Sequence, residues 1–231
     1  MSFIVKNTTF PGLFDLLAPH SCRGCGAIGE AVCDRCKKYI VKNHHNFCPI
    51  CKKSNQNGKC PHCKILPPTF VVAERNGLLD DLIHVYKYSS NRSLKKPLAE
   101  LLSACMPRSF NHSVVIVPLP TISSHIRTRG FDHTLLLAKN LAKLRHYKVQ
   151  KLLLRKRNSV QVGADKKTRR LQAEEAYQIN PKVKIKNDTT YLLIDDVWTT
   201  GASMLSAVKK LQQAGVSNIV IGILAVSRLD N

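Results

Sequence analysis

Apolar residues along this 231-residue chain fall into two kinds of run. Short continuous runs at 70–73, 114–117, 191–194 and 219–226 are aliphatic and largely β-branched, as strands buried on both faces of a parallel sheet require. Between them, apolar positions recur at helical spacing. Residues 78, 79, 82, 83, 85 and 86 predict a helix over 78–88, and further helices are predicted over 94–105, 134–144 and 203–213, the last stopped by Gly215. Phe10, Leu13, Phe14, Leu16 and Leu17 predict a short amphipathic helix near the start of the chain, suited to core packing or docking. Strands alternating with helices predict an α/β fold, a mainly parallel sheet of about five strands with helices on both faces. Ligands on such sheets sit at the carboxyl ends of the strands.

The stretch YLLIDDVWTTGAS, residues 191–203, carries the clearest chemistry. A buried strand ends in Asp195 and Asp196, Thr199, Thr200 and Gly201 make a tight turn, and Ala202 and Ser203 lead into a helix. A helix start offers unpaired N–H groups and a positive dipole end to a phosphate, and the hydroxyls add short donors. The two carboxylates are placed to accept from ribose hydroxyls or to reach Mg²⁺ indirectly. A plain N-capped helix would not require the acid pair, both threonines and the glycine together. The pattern resembles the phosphoribosyl pyrophosphate (PRPP) motif of type I phosphoribosyltransferases. Three further cations are candidates for its phosphates: Arg127 and Arg129, with Gly130, in the segment after strand 114–117, read as a loop, and Lys87 at a helix end.

Four C-x-x-C pairs occupy the first third: Cys22/Cys25, Cys33/Cys36, Cys48/Cys51 and Cys60/Cys63. Seven and eight residues separate the pairs within each half, and eleven separate Cys36 from Cys48. That spacing favours sequential pairing into two Cys₄ zinc ribbons over a cross-braced arrangement. Iron in rubredoxin-like sites remains the alternative metal. Disulfides conflict with a cytosolic setting, and a redox motif would be a single pair. Four thiolates complete each shell, so His44, His45 and His62 are expected at the surface, and Cys105 as a core thiol in a helix. The segment has too little apolar sequence to fold without metal. Pro67 and Pro68 mark the boundary between a module of residues 1–66 and an α/β domain of residues 67–231.

Thirty-six basic against fifteen acidic side chains give a formal charge of +21, which favours a polyanionic partner. The excess is concentrated: residues 139–186 hold fifteen Lys or Arg and three acids. Arg155, Lys156, Arg157, Lys166, Lys167, Arg169 and Arg170 are the candidate DNA-binding residues. Only Tyr147 and Tyr177 lie among them, so base stacking is weakly signalled. No run approaches a membrane span, and no apolar leader follows Lys6, so a cytosolic protein is expected.

From LFDLLAPHSCRGCG through LIHVYKY, VPLP, RGF and LLIDDVWTTGAS, nearly the whole chain is similar to the ComF/GntX-type family of competence-associated phosphoribosyltransferase-like proteins. Asp132 and His133 follow RGF where the family has Asn-Gln, and Gln172 stands where it has Asn after Arg169. The resemblance implies a type I phosphoribosyltransferase-like domain behind a double zinc ribbon. It also implies a cytosolic role in DNA uptake during transformation, handling single-stranded DNA near the uptake machinery of the inner membrane, without spanning the membrane. PRPP with Mg²⁺ would be the ligand. The alternative is an active phosphoribosyltransferase, with Asp195 and Asp196 catalytic and the basic stretch as a lid over the site. A zinc-ribbon interaction protein with a vestigial sugar site is the third reading.

Overall fold

The structure, a computed structural model, describes residues 21–42, 47–89, 92–110, 112–156 and 176–227. The amphipathic helix expected near the start of the chain, His44 and His45, and Arg157, Lys166, Lys167, Arg169, Arg170 and Gln172 lie outside these residues.

After a helix in the cysteine-rich part, α1 (Asp34–Lys42), the chain enters the sheet with β1 (Thr69–Glu74) and leaves it through α2 (Gly77–Tyr88). A 3₁₀ turn (Arg92–Leu94) leads into α3 (Lys95–Ala104), then β2 (Ser113–Pro118), α4 (Ser123–Arg129), α5 (His133–Arg145) and a short β3 (Lys148–Val149). A hairpin pair, β4 (Leu153–Arg155) and β5 (Tyr177–Ile179), precedes β6 (Thr189–Trp198), α6 (Ala202–Gln213) and β7 (Ile219–Val226). The main sheet has five strands in the order β1-β7-β6-β2-β3, every neighbouring pair parallel. β4 and β5 pair antiparallel outside it.

Side chains alternate across the central strand, and so does the core. Leu192 and Ile194 pack with α2, α3 and α5 on one face of the sheet. Tyr191 and Leu193 pack with α6 and the β4/β5 hairpin on the other. β6 itself is longer than its apolar run: it continues through both aspartates to Trp198, because Asp195, Val197 and Trp198 keep pairing with Ile223, Ala225 and Val226.

Two expectations are corrected. The segment after β2, read as a loop, holds helix α4, since Ser-Ser-His-Ile-Arg-Thr-Arg contains no breaker. Gly130 ends it in the left-handed region, φ 75°, its N–H donating to Ile126 O at 2.8 Å. Cys105 is the C-cap of α3 instead of a helical core position, half-buried, its thiol pushed up to about 12 by burial. The β4/β5 hairpin was not predicted.

The cysteine-rich part is joined to the sheet domain through shared packing. Cys22, Val32, Cys36 and Ile40 belong to the same core cluster as Phe70, Leu79 and Leu82. Gly24 is tight there: a Cβ would lie 2.6 Å from Leu78 and 2.7 Å from Cys36 Sγ. Lys37 Nζ on α1 meets Glu100 on α3 at 2.8 Å. Thr69 N, at the start of β1, donates to Gly58 O at 2.8 Å, and buried Asn55 donates to Phe47 O and Thr69 O.

Candidate functional site

The eight cysteines form two clusters, Cys22/Cys25/Cys33/Cys36 and Cys48/Cys51/Cys60/Cys63, each with its sulfurs within 4.8 Å of one another. This is the sequential pairing. Cys25–Cys33, Cys48–Cys63 and Cys51–Cys60 stand at 3.6, 3.5 and 3.4 Å, too long for disulfides. Tetrahedral Zn–S bonds would set sulfurs about 3.8 Å apart, so the donor sets fit Zn²⁺. Burial alone would raise the Cys22 thiol, but the N–H groups of Cys33, Gly24 and Cys25 bring it to about 6. The Cys63 N–H brings Cys60 to about 6 likewise. A thiol held low in each cluster is prepared for a cation. His62 is exposed, as expected.

At the carboxyl end of β6 the acid pair divides. Adjacent strand residues face opposite sides of a sheet, and the two aspartates do. Asp195 shares a small cavity of about 60 Å³ with Thr199, Gly201, Ser203, Met204 and Trp198. Its Oδ1 accepts the Asp196 N–H at 2.9 Å. Burial, and then the charge of Asp196, raises its pKa well above the usual carboxylate range. The turn beside it is shaped by Gly201, φ 78°, which serves as N-cap of α6 without a side-chain cap bond. A Cβ on Gly201 would fall 2.5 Å from Trp198 Cε2, so only glycine fits against the indole. The Ala202 N–H donates to Thr200 Oγ1 at 3.4 Å, and the first turn of α6 borders the same cavity as Asp195.

Asp196 is buried on the other face, among partners the sequence did not pair with it. Lys87 Nζ of α2 lies 2.8 Å from its Oδ2, and His133 Nε2 of α5 lies 2.9 Å from the same oxygen. Both stand at ion-pair distance from it. Burial alone would raise Asp196, but His133 and Lys87 outweigh it and hold the carboxyl well below the usual range. Lys87, expected to meet a phosphate, is thus the counter-cation of Asp196.

The imidazole is oriented from behind. Arg129 Nη1, at the end of α4, is 3.0 Å from His133 Nδ1. Guanidinium is donor-only, so Nδ1 must accept and the ring's proton sits on Nε2, facing Asp196. Tyr86 OH donates to His133 O at 2.8 Å. Asp132, whose charge beside a phosphate loop looked awkward, is the N-cap of α5. It accepts from Leu135 N at 3.1 Å and Thr121 Oγ1 at 3.0 Å. The Asp-His departure from the family's Asn-Gln is therefore a helix cap followed by a carboxylate partner.

Cations from several elements gather here. Burial first, then the charges of Arg129, His133, Arg155 and Lys87, hold His125 of α4 below its ordinary value. Arg127 is exposed on α4, and Arg129 is half-buried. Arg155 Nη1 donates to Tyr177 OH at 3.3 Å, its guanidinium 5.6 Å from that ring's centroid. A second cavity of about 680 Å³ opens beside the end of β2, lined in part by Pro118, Thr121, Asp132, Lys151, Lys156 and Gln178. Of the site residues expected from sequence, the structure brings together Asp195, Asp196, Thr199, Gly201, Ser203, Lys87 and Arg129. It adds His133, whose signal was its position three residues after Gly130.

A parallel five-stranded sheet with an acid pair and a Thr-Thr-Gly turn at the end of β6 defines a type I phosphoribosyltransferase-like domain, here preceded by two four-cysteine centres. The chain is similar in sequence to two competence proteins. It is 26% identical over 196 residues to the Competence protein ComFC of Streptococcus pneumoniae (strain ATCC BAA-255 / R6), covering 82% of this chain and 85% of that one. It is 24% identical over 198 residues to the Competence protein ComFC of Bacillus subtilis (strain 168), covering 80% of each. These similarities bear out the resemblance drawn from the motifs. No family model matches the chain. A hypoxanthine phosphoribosyltransferase from Staphylococcus aureus aligns at 15% identity with a TM-score of 0.34, over 61% of this chain and 65% of that one, a little under two thirds. Among the described residues no helix is long and apolar enough to cross a membrane.

Proposed function

We propose that this is a competence-associated protein that handles single-stranded DNA during uptake and binds PRPP, or a close phosphosugar, at the end of β6. The observation that carries the sugar site is the pairing of half-buried Asp195 with the first turn of α6 across one small cavity. The turn takes the 5-phosphate on backbone N–H groups, Thr199, Thr200 and Ser203 add hydroxyl donors, and Asp195 accepts from the ribose hydroxyls. Asp196 does not need to touch the sugar; it anchors Lys87 and His133 and so fixes the strand end. Arg129 and Arg127, both in the last turn of α4, are the candidate cations for a pyrophosphate.

Zn²⁺ fits both four-cysteine centres, where its role is structural. Mg²⁺ enters with the ligand. The His133, Asp195 and Asp196 ligand atoms lie within 4.8 Å of one another, but Lys87 already neutralises Asp196, which leaves no call for a resident divalent ion between them. Bound on the pyrophosphate, Mg²⁺ would supply charge neutralisation there. The DNA reading is supported by the charge of +21 and by the similarity to two competence proteins. Arg155 and Lys156 are its described basic residues, and a cytosolic position near the inner-membrane uptake machinery belongs to the same reading.

A second reading, transfer of ribose 5-phosphate to an acceptor, is favoured by the cavity of about 680 Å³ beside β2, which has room for one. Calorimetric titration of PRPP with Mg²⁺ into metal-replete protein, with and without single-stranded DNA, separates the readings. Binding that shifts DNA affinity supports a coupled DNA-handling role. Binding without such a shift favours transfer, and no binding removes the sugar site from both.

A further inference from the structure

One exposed surface combines rings and cations that, Arg129 apart, neither the sugar site nor the metal centres use. Tyr88, the last residue of α2, is 63% exposed. His84, one turn earlier, meets it with ring centroids 4.9 Å apart and planes tilted by 44°. The guanidinium of Arg129 lies 5.3 Å from the Tyr88 centroid. Alongside, exposed Arg92 lies 5.3 Å from the Phe131 centroid and donates to Gly130 O at 3.4 Å. Phe131 is seated edge-on against buried Tyr86, at 5.7 Å and 62°. The ends of α2 and α4 and the 3₁₀ turn thus bring aromatic and cationic groups together, from segments some forty residues apart in sequence.

A tyrosine bracketed by a histidine and an arginine, yet still mostly exposed, is held in orientation without being covered. Core packing does not require it, since Tyr86 already fills the interior on this side. Every nucleobase has a π-face that can stack on such a ring, and cations beside the ring take the flanking phosphates. A base inside a duplex is stacked on its neighbours and does not present that face.

We propose that Tyr88 is a stacking platform for an unpaired base of single-stranded DNA, with Arg92 and Arg129 at the adjoining phosphates. This rests on the reading that the protein handles single strands. The bulk charge supplies affinity that any polyanion shares, and the ring supplies dependence on the bases.

The test uses full-length, zinc-replete protein and fluorescence anisotropy. Wild type, Tyr88→Ala and Tyr88→Trp are titrated with an oligothymidylate and with an abasic phosphodiester strand of equal length. PRPP binding is measured in parallel. Wild type should prefer the strand with bases by roughly fivefold or more. Tyr88→Ala should lose that preference while keeping its abasic affinity, its salt slope and PRPP binding, and Tyr88→Trp should retain the preference. Unchanged discrimination in Tyr88→Ala overturns the platform. Equal loss on both strands, or loss of PRPP binding, overturns it too, because the ring would then merely support Arg129. No DNA binding by wild type would remove the single-strand reading itself, and the platform with it.

Discussion

His133 and Arg129 meet at 3.0 Å through Nδ1 and Nη1, and that contact decides which imidazole nitrogen faces Asp196. An arginine cannot accept, so Nδ1 accepts and the ring turns its Nε2 N–H toward the carboxylate. Asp196 is therefore held between Lys87 Nζ at 2.8 Å and His133 Nε2 at 2.9 Å, and the three side chains form one buried unit.

Removing one member should cost more than removing both. Lys87→Met leaves a buried carboxylate without its counter-ion, and a loss of about 3–5 kcal/mol is expected. Lys87→Met with Asp196→Asn should recover most of it. Thermal melts of the two singles and the double give the coupling, and additive losses would contradict the pairing.

Asp195 should have the opposite effect. Its pKa is raised in the folded state by burial and by Asp196, so the native protein holds this proton more tightly than the unfolded chain does. Stability is therefore lost as pH rises from the unfolded value near ~3.9 through the raised folded value. Asp195→Asn should stabilise at neutral pH by ~1 kcal/mol, roughly 2–4 °C in Tm, with the gain vanishing in acid. The same variant should lose PRPP binding by calorimetry while its zinc content stays at wild-type level. An Asp195→Asn protein that is less stable at pH 7 than at pH 4, relative to wild type, would reverse the assignment.

For Asp196 the sign is inverted, because its pKa is depressed. Its contribution is present above the unfolded value near ~3.9 and is lost as pH falls through the folded value. A melt series from neutral pH down into acid, compared with Asp196→Asn, should show the wild-type advantage shrinking at the acid end.

Gly201→Ala should remove sugar binding with a modest loss of stability. The position has φ 78° and no room beside Trp198, so a methyl group distorts the turn. About 1–3 kcal/mol of destabilisation is expected. Gly26→Ala, at φ 76° with open space around it, controls for the conformational part alone. Equal effects of the two on PRPP binding would show that the indole contact is immaterial.

Metal removal should reach beyond the cysteine-rich part. Two zinc ions per chain are expected by atomic absorption. Chelation under reducing conditions should forfeit binding free energy on the order of 10 kcal/mol per site. Because Cys22 and Cys36 share a core with Leu79 and Leu82 of α2, the melt of the sheet domain should shift as well. An unchanged domain melt after complete zinc release would show the shared packing to be energetically idle.

What could be read from the sequence was local. The cysteine clusters followed from spacing within some forty residues, and the acid pair and turn at the end of β6 from thirteen consecutive positions. The strands at 70–73, 114–117, 191–194 and 219–226 are fully buried, so their apolar runs were unbroken and legible. The pairing of His133 with Asp196 joins residues from α5 and β6 across the end of the sheet, and no periodicity signals it. Lys87 carried a plausible role as a free cation only because its partner lies more than a hundred positions downstream. α4 escaped recognition because seven polar and small residues after a proline-rich strand end have the composition of a loop. β4 and β5 are three residues each and pair across a long insertion, too short for a two-residue period to show.

Trp198 is the chain's sole tryptophan, nearly buried beneath the phosphate turn. Its emission therefore comes from one place in the molecule, against the very glycine that shapes the turn where we propose the ligand binds. The protein carries its own optical reporter: occupancy at the turn can be followed by intrinsic fluorescence, label-free and in real time, while DNA occupancy is tracked by a dye on the strand.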